Sequence, residues 1–179
     1  MALGDLSVIG PQFTVKRRIA ASTTRYEVGE PLYQDGTTLS SGAVSANTVE
    51  LMDADGVVLG TDTFSGVAIK RCLPLDSGTV TAHETMTANP IPETGLIRGK
   101  AETSGNVDTD AELLLIEGDV TLIDYNSTGA TDGGELYTIK DTASADTSAF
   151  TIRDGNIVKG TLDVSIDVRG YRTANDITT

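Results

Sequence analysis

The sequence predicts a mostly β domain, and three observations carry that reading. Thr, Val and Gly are plentiful, with 19 glycines in 179 residues, a composition that favours strands and tight turns over helices. Apolar and polar residues alternate with a period of two, most cleanly near the end of the chain. Gly-, Pro- and Asp-containing turn signals separate these runs. The length fits one domain, or at most two small ones, and supports a core without staples. With three Phe, five Tyr and no Trp, that core must be built from Val, Leu, Ile and Ala.

Taken in order, residues 1–12 mix Gly, Pro and Ser and read as an extended N-terminal arm. Phe13–Ile19 reads as the first strand, with Phe13, Val15, Arg17 and Ile19 on one side and Thr14, Lys16 and Arg18 on the other. Residues 27–33 place a turn before a short strand. Residues 48–52 and 57–59 flank Asp53-Ala54-Asp55-Gly56, an acidic, Gly-ended hairpin signal. Residues 63–71 form another strand, with Gly66 at a bulge or a close backbone approach. The Thr-rich segment 74–93 holds three of the five prolines and reads as a loop-rich excursion, with a strand returning over 94–101.

Thr109 and Glu112 have capping-box spacing, but the apolar run that follows, Leu113–Ile116, is short and is read as strand. It leads into a strand over 120–125. Residues 126–134 form a long loop. Phe150–Arg153 and Ile157–Lys159 flank Asp154-Gly155-Asn156, a second hairpin signal, and a strand over 162–168 follows. Leu162, Val164, Ile166 and Val168 alternate with Asp163, Ser165, Asp167 and Arg169, which predicts a half-buried strand with a wet, charged face. The expected organisation is residues 1–19 as arm and first strand, and 20–179 as a β domain with long loops.

Charge excludes whole classes of function. Thirteen basic residues against 26 acidic ones give a net charge of −13. Nucleic-acid binding draws its affinity from neutralising phosphates, so no nucleic-acid partner is expected. No run approaches the roughly 18 apolar residues of a membrane helix, so no membrane partner is expected either. The opening MALGDLSVIGPQ lacks the charged and apolar regions of a secretory signal. One Cys and one His exclude an intramolecular disulfide and ordinary His/Cys zinc sites.

Catalytic candidates are few. His83 lies in a polar loop with no triad-style motif around it. Cys72 follows Lys70 and Arg71, which could depress a thiol pKa, but it reads as a small buried residue closing a strand. Asp53-Ala54-Asp55-Gly56 reaches its Gly too early for a calcium loop of the EF-hand kind. Asp108, Asp110 and Glu112 could form a surface calcium site, against the plainer reading of a solvated acidic face. No catalytic residue, cofactor or metal is therefore expected, and no enzyme activity.

The charge is unevenly spread. Residues 101–150 hold eleven acids and one base, Lys140, whereas residues 13–25 hold Lys16, Arg17, Arg18 and Arg25 with no acid. Two readings stand: a basic segment that docks a partner, or a basic strand face paired with acids of its own domain. The docking reading makes Phe13, Val15, Lys16, Arg17, Arg18 and Ile19 the candidate contact residues, combining apolar anchors with charge opposite to that of the body.

Three segments carry a resemblance to a known family. Val28-Gly-Glu-Pro-Leu-Tyr33, Val49-Glu-Leu-Met-Asp-Ala-Asp-Gly56 and Phe64-Ser-Gly-Val-Ala-Ile69 resemble, in their order of turns and strands, the head decoration (cement) proteins of tailed bacteriophages. The resemblance covers about a quarter of the chain. It implies a small β-barrel or β-tulip domain on the capsid exterior of the virion. The implied partner is the major capsid protein, and the implied state is a homotrimer. The competing reading is an extracellular β-domain, an adhesin or fibre module that binds carbohydrate or calcium. The scarcity of aromatic rings to stack on sugars counts against it.

Overall fold

Short β-rich runs divided by Gly, Pro and Asp become twelve strands and one α-helix among the residues that the computed structural model describes: 6–19, 28–34, 48–52, 57, 62–70, 84–125, 137–141 and 148–171. The mostly β class predicted from composition is what the structure shows. The strands fall into two linked units.

In the first unit, β2 (Gln12–Ile19), β4 (Thr48–Leu51), β3 (Pro31–Gln34), β5 (Thr63–Ala68) and β6 (Glu84–Pro90) pair in that order, and β6 returns to β2. The antiparallel β2–β6 ladder is the long seam, from Gln12 opposite Pro90 to Arg18 opposite Glu84. The ring is completed by a short parallel pairing of Arg18 and Ile19 with Thr48 and Val49. Gly66 behaves as its sequence position suggested. The β3–β5 register shifts beside it, its φ is +105°, and a Cβ there would stand 2.7 Å from Asn89 Oδ1, so only glycine fits.

The second unit is an open antiparallel sheet in the order β1 (Ser7–Ile9), β7 (Leu96–Lys100), β12 (Thr161–Ile166), β11 (Phe150–Asn156) and β8 (Val120–Thr121). A hairpin-like pair, β9 (Ile123–Tyr125) and β10 (Tyr137–Ile139), lies beside it. The single small barrel expected from the resemblance thus corresponds to only part of the chain. The other half stays open.

The units share one core. Tyr33, Met52, Phe64 and Val67 of the ring pack in the same cluster as Ile97, Ile123, Phe150, Ile152, Leu162, Val164 and Ile166. Phe64 and Phe150 meet edge to face, with ring centroids 5.5 Å apart. The Tyr137 hydroxyl donates to the Met52 carbonyl across the junction. Two chain crossings run side by side, Gly10-Pro11 and residues 91–95. There Ile91 N–H donates to Pro11 O at 3.0 Å and Gly95 N–H to Ile91 O at 2.7 Å.

Several expectations are corrected. From Leu6 onward the supposed arm is part of the fold. Leu6 is 3% exposed, and Ser7–Ile9 pair with Arg98, Ile97 and Leu96. The supposed excursion over 74–93 contains β6, which pairs on both sides with β2 and β5; residues 74–83 lie outside the described residues. Asp154-Gly155-Asn156 belongs to β11 rather than to a turn, because the strand runs on past a register shift to Asn156. The chain reverses at residues 157–160 instead.

Residues 110–116 are helical rather than extended. Thr109 Oγ1 accepts from Glu112 N–H at 3.3 Å, while Glu112 Oε2 accepts from Thr109 N–H at 3.1 Å. This reciprocal capping box satisfies two otherwise orphaned donors and starts α1 (Asp110–Ile116). The charged face expected on 162–168 is wet only at its end: Asp163 and Ser165 are buried, whereas Asp167 is half-buried and Arg169 exposed. Asp163 is 2% exposed and accepts two bonds from Arg98, at 2.7 and 2.6 Å. The same hydrogen bonding holds the Arg98 guanidinium above its ordinary pKa. The strand ends at Ile166, and Val168 sits in a 3₁₀ turn, Val168–Tyr171. Val57 is described but is not in a strand; residues 53–56 and 58–59 lie outside the described residues.

Candidate functional site

The ladder of β2 with β6 decides where the sequence-predicted contact residues stand. Directly opposed residues of an antiparallel pair point to the same face. Phe13 and Val15 oppose Asn89 and Thr87, both fully buried, while Lys16 opposes Met86 on the other face. The candidates therefore do not form one patch: Lys16 is turned away from Phe13 and Val15. Phe13 is nonetheless 44% exposed. The backbone of Arg17, Arg18 and Ile19 completes β2; their side chains lie outside the described residues, as do Cys72, His83, Asp53 and Asp55.

The face that carries Lys16 holds a feature the sequence reading missed. Gln12 and Thr14 of β2, Ala88 of β6 and Val67 through Ile69 at the end of β5 form one wall of a groove. Leu6, Ser7 and Val8 of β1, with Val28 and Gly29, form the other. Its volume is about 290 Å³, at the low end of the roughly 300–1,000 Å³ of small-molecule sites. The wall is pinned by backbone bonds, Leu6 N–H to Gly29 O at 2.9 Å and Gly29 N–H to Ala68 O at 2.8 Å.

The groove is apolar and its lip is exposed. Val28 is 48% and Ile69 45% exposed, and Met86, beside Ile69 through the Ile69 N–H to Met86 O bond, is 37% exposed. Lys16 and Lys70 are exposed at this end. On a chain of net charge −13, an apolar groove ending at two lysines is distinct from the acidic body.

A second apolar feature lies on α1. Leu113 and Ile116 pack against the core, but Leu114 is 69% and Leu115 80% exposed. Four acids surround them in sequence: Asp110, Glu112, Glu117 and Asp119. Asp108 and Glu112 share a hydrogen bond that raises the Asp108 pKa. Bonds from Thr109, then from Asp108, hold the Glu112 carboxyl below the ordinary glutamate value. Among the described residues no three His, Cys, Asp or Glu side chains are grouped as a metal site; Glu112 is engaged in its cap instead. No protein-family model matches this sequence, and no curated protein matches it significantly.

Proposed function

We propose that this chain is a structural virion protein, a decoration protein that binds the outer surface of a tailed-phage head and reinforces the shell by binding energy alone. The observation that supports this best is how the three segments of the resemblance fold. Pro31–Gln34, Thr48–Leu51 and Thr63–Ala68 become three adjacent strands, β4–β3–β5. Segments dispersed over more than forty residues of sequence thus make one contiguous piece of structure, and the exposed groove borders it. In this reading the major capsid protein is the partner, the chain works as a homotrimer, and no catalytic residue or cofactor takes part. Repetition over a symmetric lattice turns modest affinity per site into large total reinforcement.

The test is co-sedimentation of the purified chain with undecorated phage capsids, followed by heating of the loaded shells. Saturable attachment and a raised shell-opening temperature are expected. No attachment to capsids of the virus that encodes the chain would overturn the reading.

A further inference from the structure

The groove and the exposed leucines lie at opposite edges of one sheet. The groove is walled by β1, the first strand in the order β1-β7-β12-β11-β8. Helix α1 leads directly into β8, the last strand of that order, and packs on its neighbour β11. Three strands stand between the two edges, and with strands about 4.8 Å apart the helix is too far away to fill the groove of its own chain.

We propose that copies of this chain associate head to tail, with Leu114 and Leu115 of α1 on one copy seated in the apolar groove between β1 and β5 of the next. Two arguments fix the occupant as a second copy. Adjacent leucines at 69% and 80% exposure are an apolar knob left open on the outside of the fold, and the groove is an apolar socket of matching chemistry. Charge is complementary as well. The knob is flanked by Asp110, Glu112, Glu117 and Asp119, the socket by Lys16 and Lys70. On so acidic a chain, two surfaces chosen without regard to each other would usually repel.

A contact between two different patches is heterologous. It closes into a ring if the rotation per copy allows, and otherwise grows into an open chain. This contact supplies a mechanism for the self-assembly in the proposed function. It is read on free protein, so capsid attachment can fail without touching it, and the contact can fail while attachment stands.

The experiment is sedimentation velocity of the full chain over a wide concentration range, with a knob variant, Leu115→Glu, and a socket variant, Ile69→Glu. Both positions are exposed enough to tolerate the charge, and circular dichroism checks that they fold; Val28→Glu, at a position 48% exposed, is the second socket variant. Wild type should associate, less strongly at high salt. Each variant alone should associate roughly 30-fold or more weakly, the loss expected for a central anchor. The decisive sample is the mixture of the two variants. The knob variant keeps its socket and the socket variant keeps its knob, so one intact contact remains and a 1:1 heterodimer that cannot grow should form. A wild type that stays monomeric throughout, a socket variant that assembles like wild type, or a mixture without heterodimer would each overturn the proposal.

Discussion

Phe64 and Phe150 provide the sharpest test of whether the ring and the open sheet fold as one body. Phe64 belongs to β5 and Phe150 to β11, both rings are fully buried, and they meet edge to face at 5.5 Å. Truncating either to Ala should cost roughly 3–5 kcal/mol. Against a total stability of about 5–15 kcal/mol for an ordinary domain, the double truncation risks unfolding the chain. Leucine is therefore the better probe, since a near volume-conserving swap costs less than about 1.5 kcal/mol. Phe64→Leu, Phe150→Leu and the double variant close a thermodynamic cycle in which the aromatic pair is worth about 0.5–1.5 kcal/mol. Urea unfolding is followed by far-ultraviolet circular dichroism and by tyrosine fluorescence, since the chain has no Trp and buries Tyr33 in the ring and Tyr137 in the neighbouring strand pair. One coincident transition that every variant shifts as a whole is expected. Two transitions, with each variant moving only one, would refute the shared core. So would costs that add to within about 0.3 kcal/mol, as they do for sites that do not touch.

Gly95→Ala should destabilise by about 3 kcal/mol and lower the Tm by roughly 6–12 °C, because its Cβ would stand 2.2 Å from Pro11 O and 2.6 Å from Ile91 N. Gly105→Ala, with nothing within 4 Å, is the control and should leave the melting curve in place. Thr109→Ala should cost about 1 kcal/mol by removing the cap of α1. In wild type the lowered Glu112 pKa means that its contribution is fully present above the ordinary glutamate value of about 4.3 and is lost as pH falls through the lower folded value. Carboxyl NMR should show that lowered titration, and Thr109→Ala should move it back up. A chelator should leave the Tm unchanged; a rise on adding calcium would favour the adhesin reading instead. His83→Ala and Cys72→Ser should attach to capsids like wild type, and loss of attachment by a folded variant would give those residues a role.

What the sequence reveals of the fold depends on how local the cause is. Gly66 was legible because a glycine inside a strand run already implies a register shift or a close approach, and both occur there. The apolar phase of Leu162, Val164 and Ile166 was legible for the same reason, since strand alternation needs no partner. The state of the opposite face was not. Asp163 is buried because Arg98, sixty-five residues away in sequence, donates two bonds to it, and no pattern within β12 contains Arg98. Strand β6 was hidden by its composition. Thr85, Thr87 and Asn89 fill its buried face, so a seven-residue run that closes the ring looks, on polarity alone, like a loop. Part of its polarity is satisfied by hydrogen bonds, with Asn89 Nδ2 donating to Thr87 Oγ1 at 2.9 Å and Thr85 Oγ1 to Lys70 O at 3.3 Å.

The candidate surface turned on one choice of period. Read as a strand, Leu113–Ile116 sends alternate residues to two faces, and both faces can be buried in a sheet. Read as a helix, successive residues turn by about 100°, so four consecutive apolar side chains cannot all face one neighbour. Leu113 and Ile116, three apart, share the inward face, which leaves Leu114 and Leu115 outside. The information that selects the helix was in the sequence, because Thr109 and Glu112 stand at capping-box spacing and the structure forms both bonds of that box. The length of the apolar run argued the other way only because a seven-residue helix is barely two turns long. A cap worth about 1 kcal/mol is a large share of what holds so short a helix, and the packing of Leu113 and Ile116 on the core supplies the rest. The groove on β1 had no comparable local cause. Leu6, Val28, Val67 and Ala88 meet only once the ring has closed and β1 has joined β7, so one half of the proposed contact was within reach of the sequence and the other half was a product of topology.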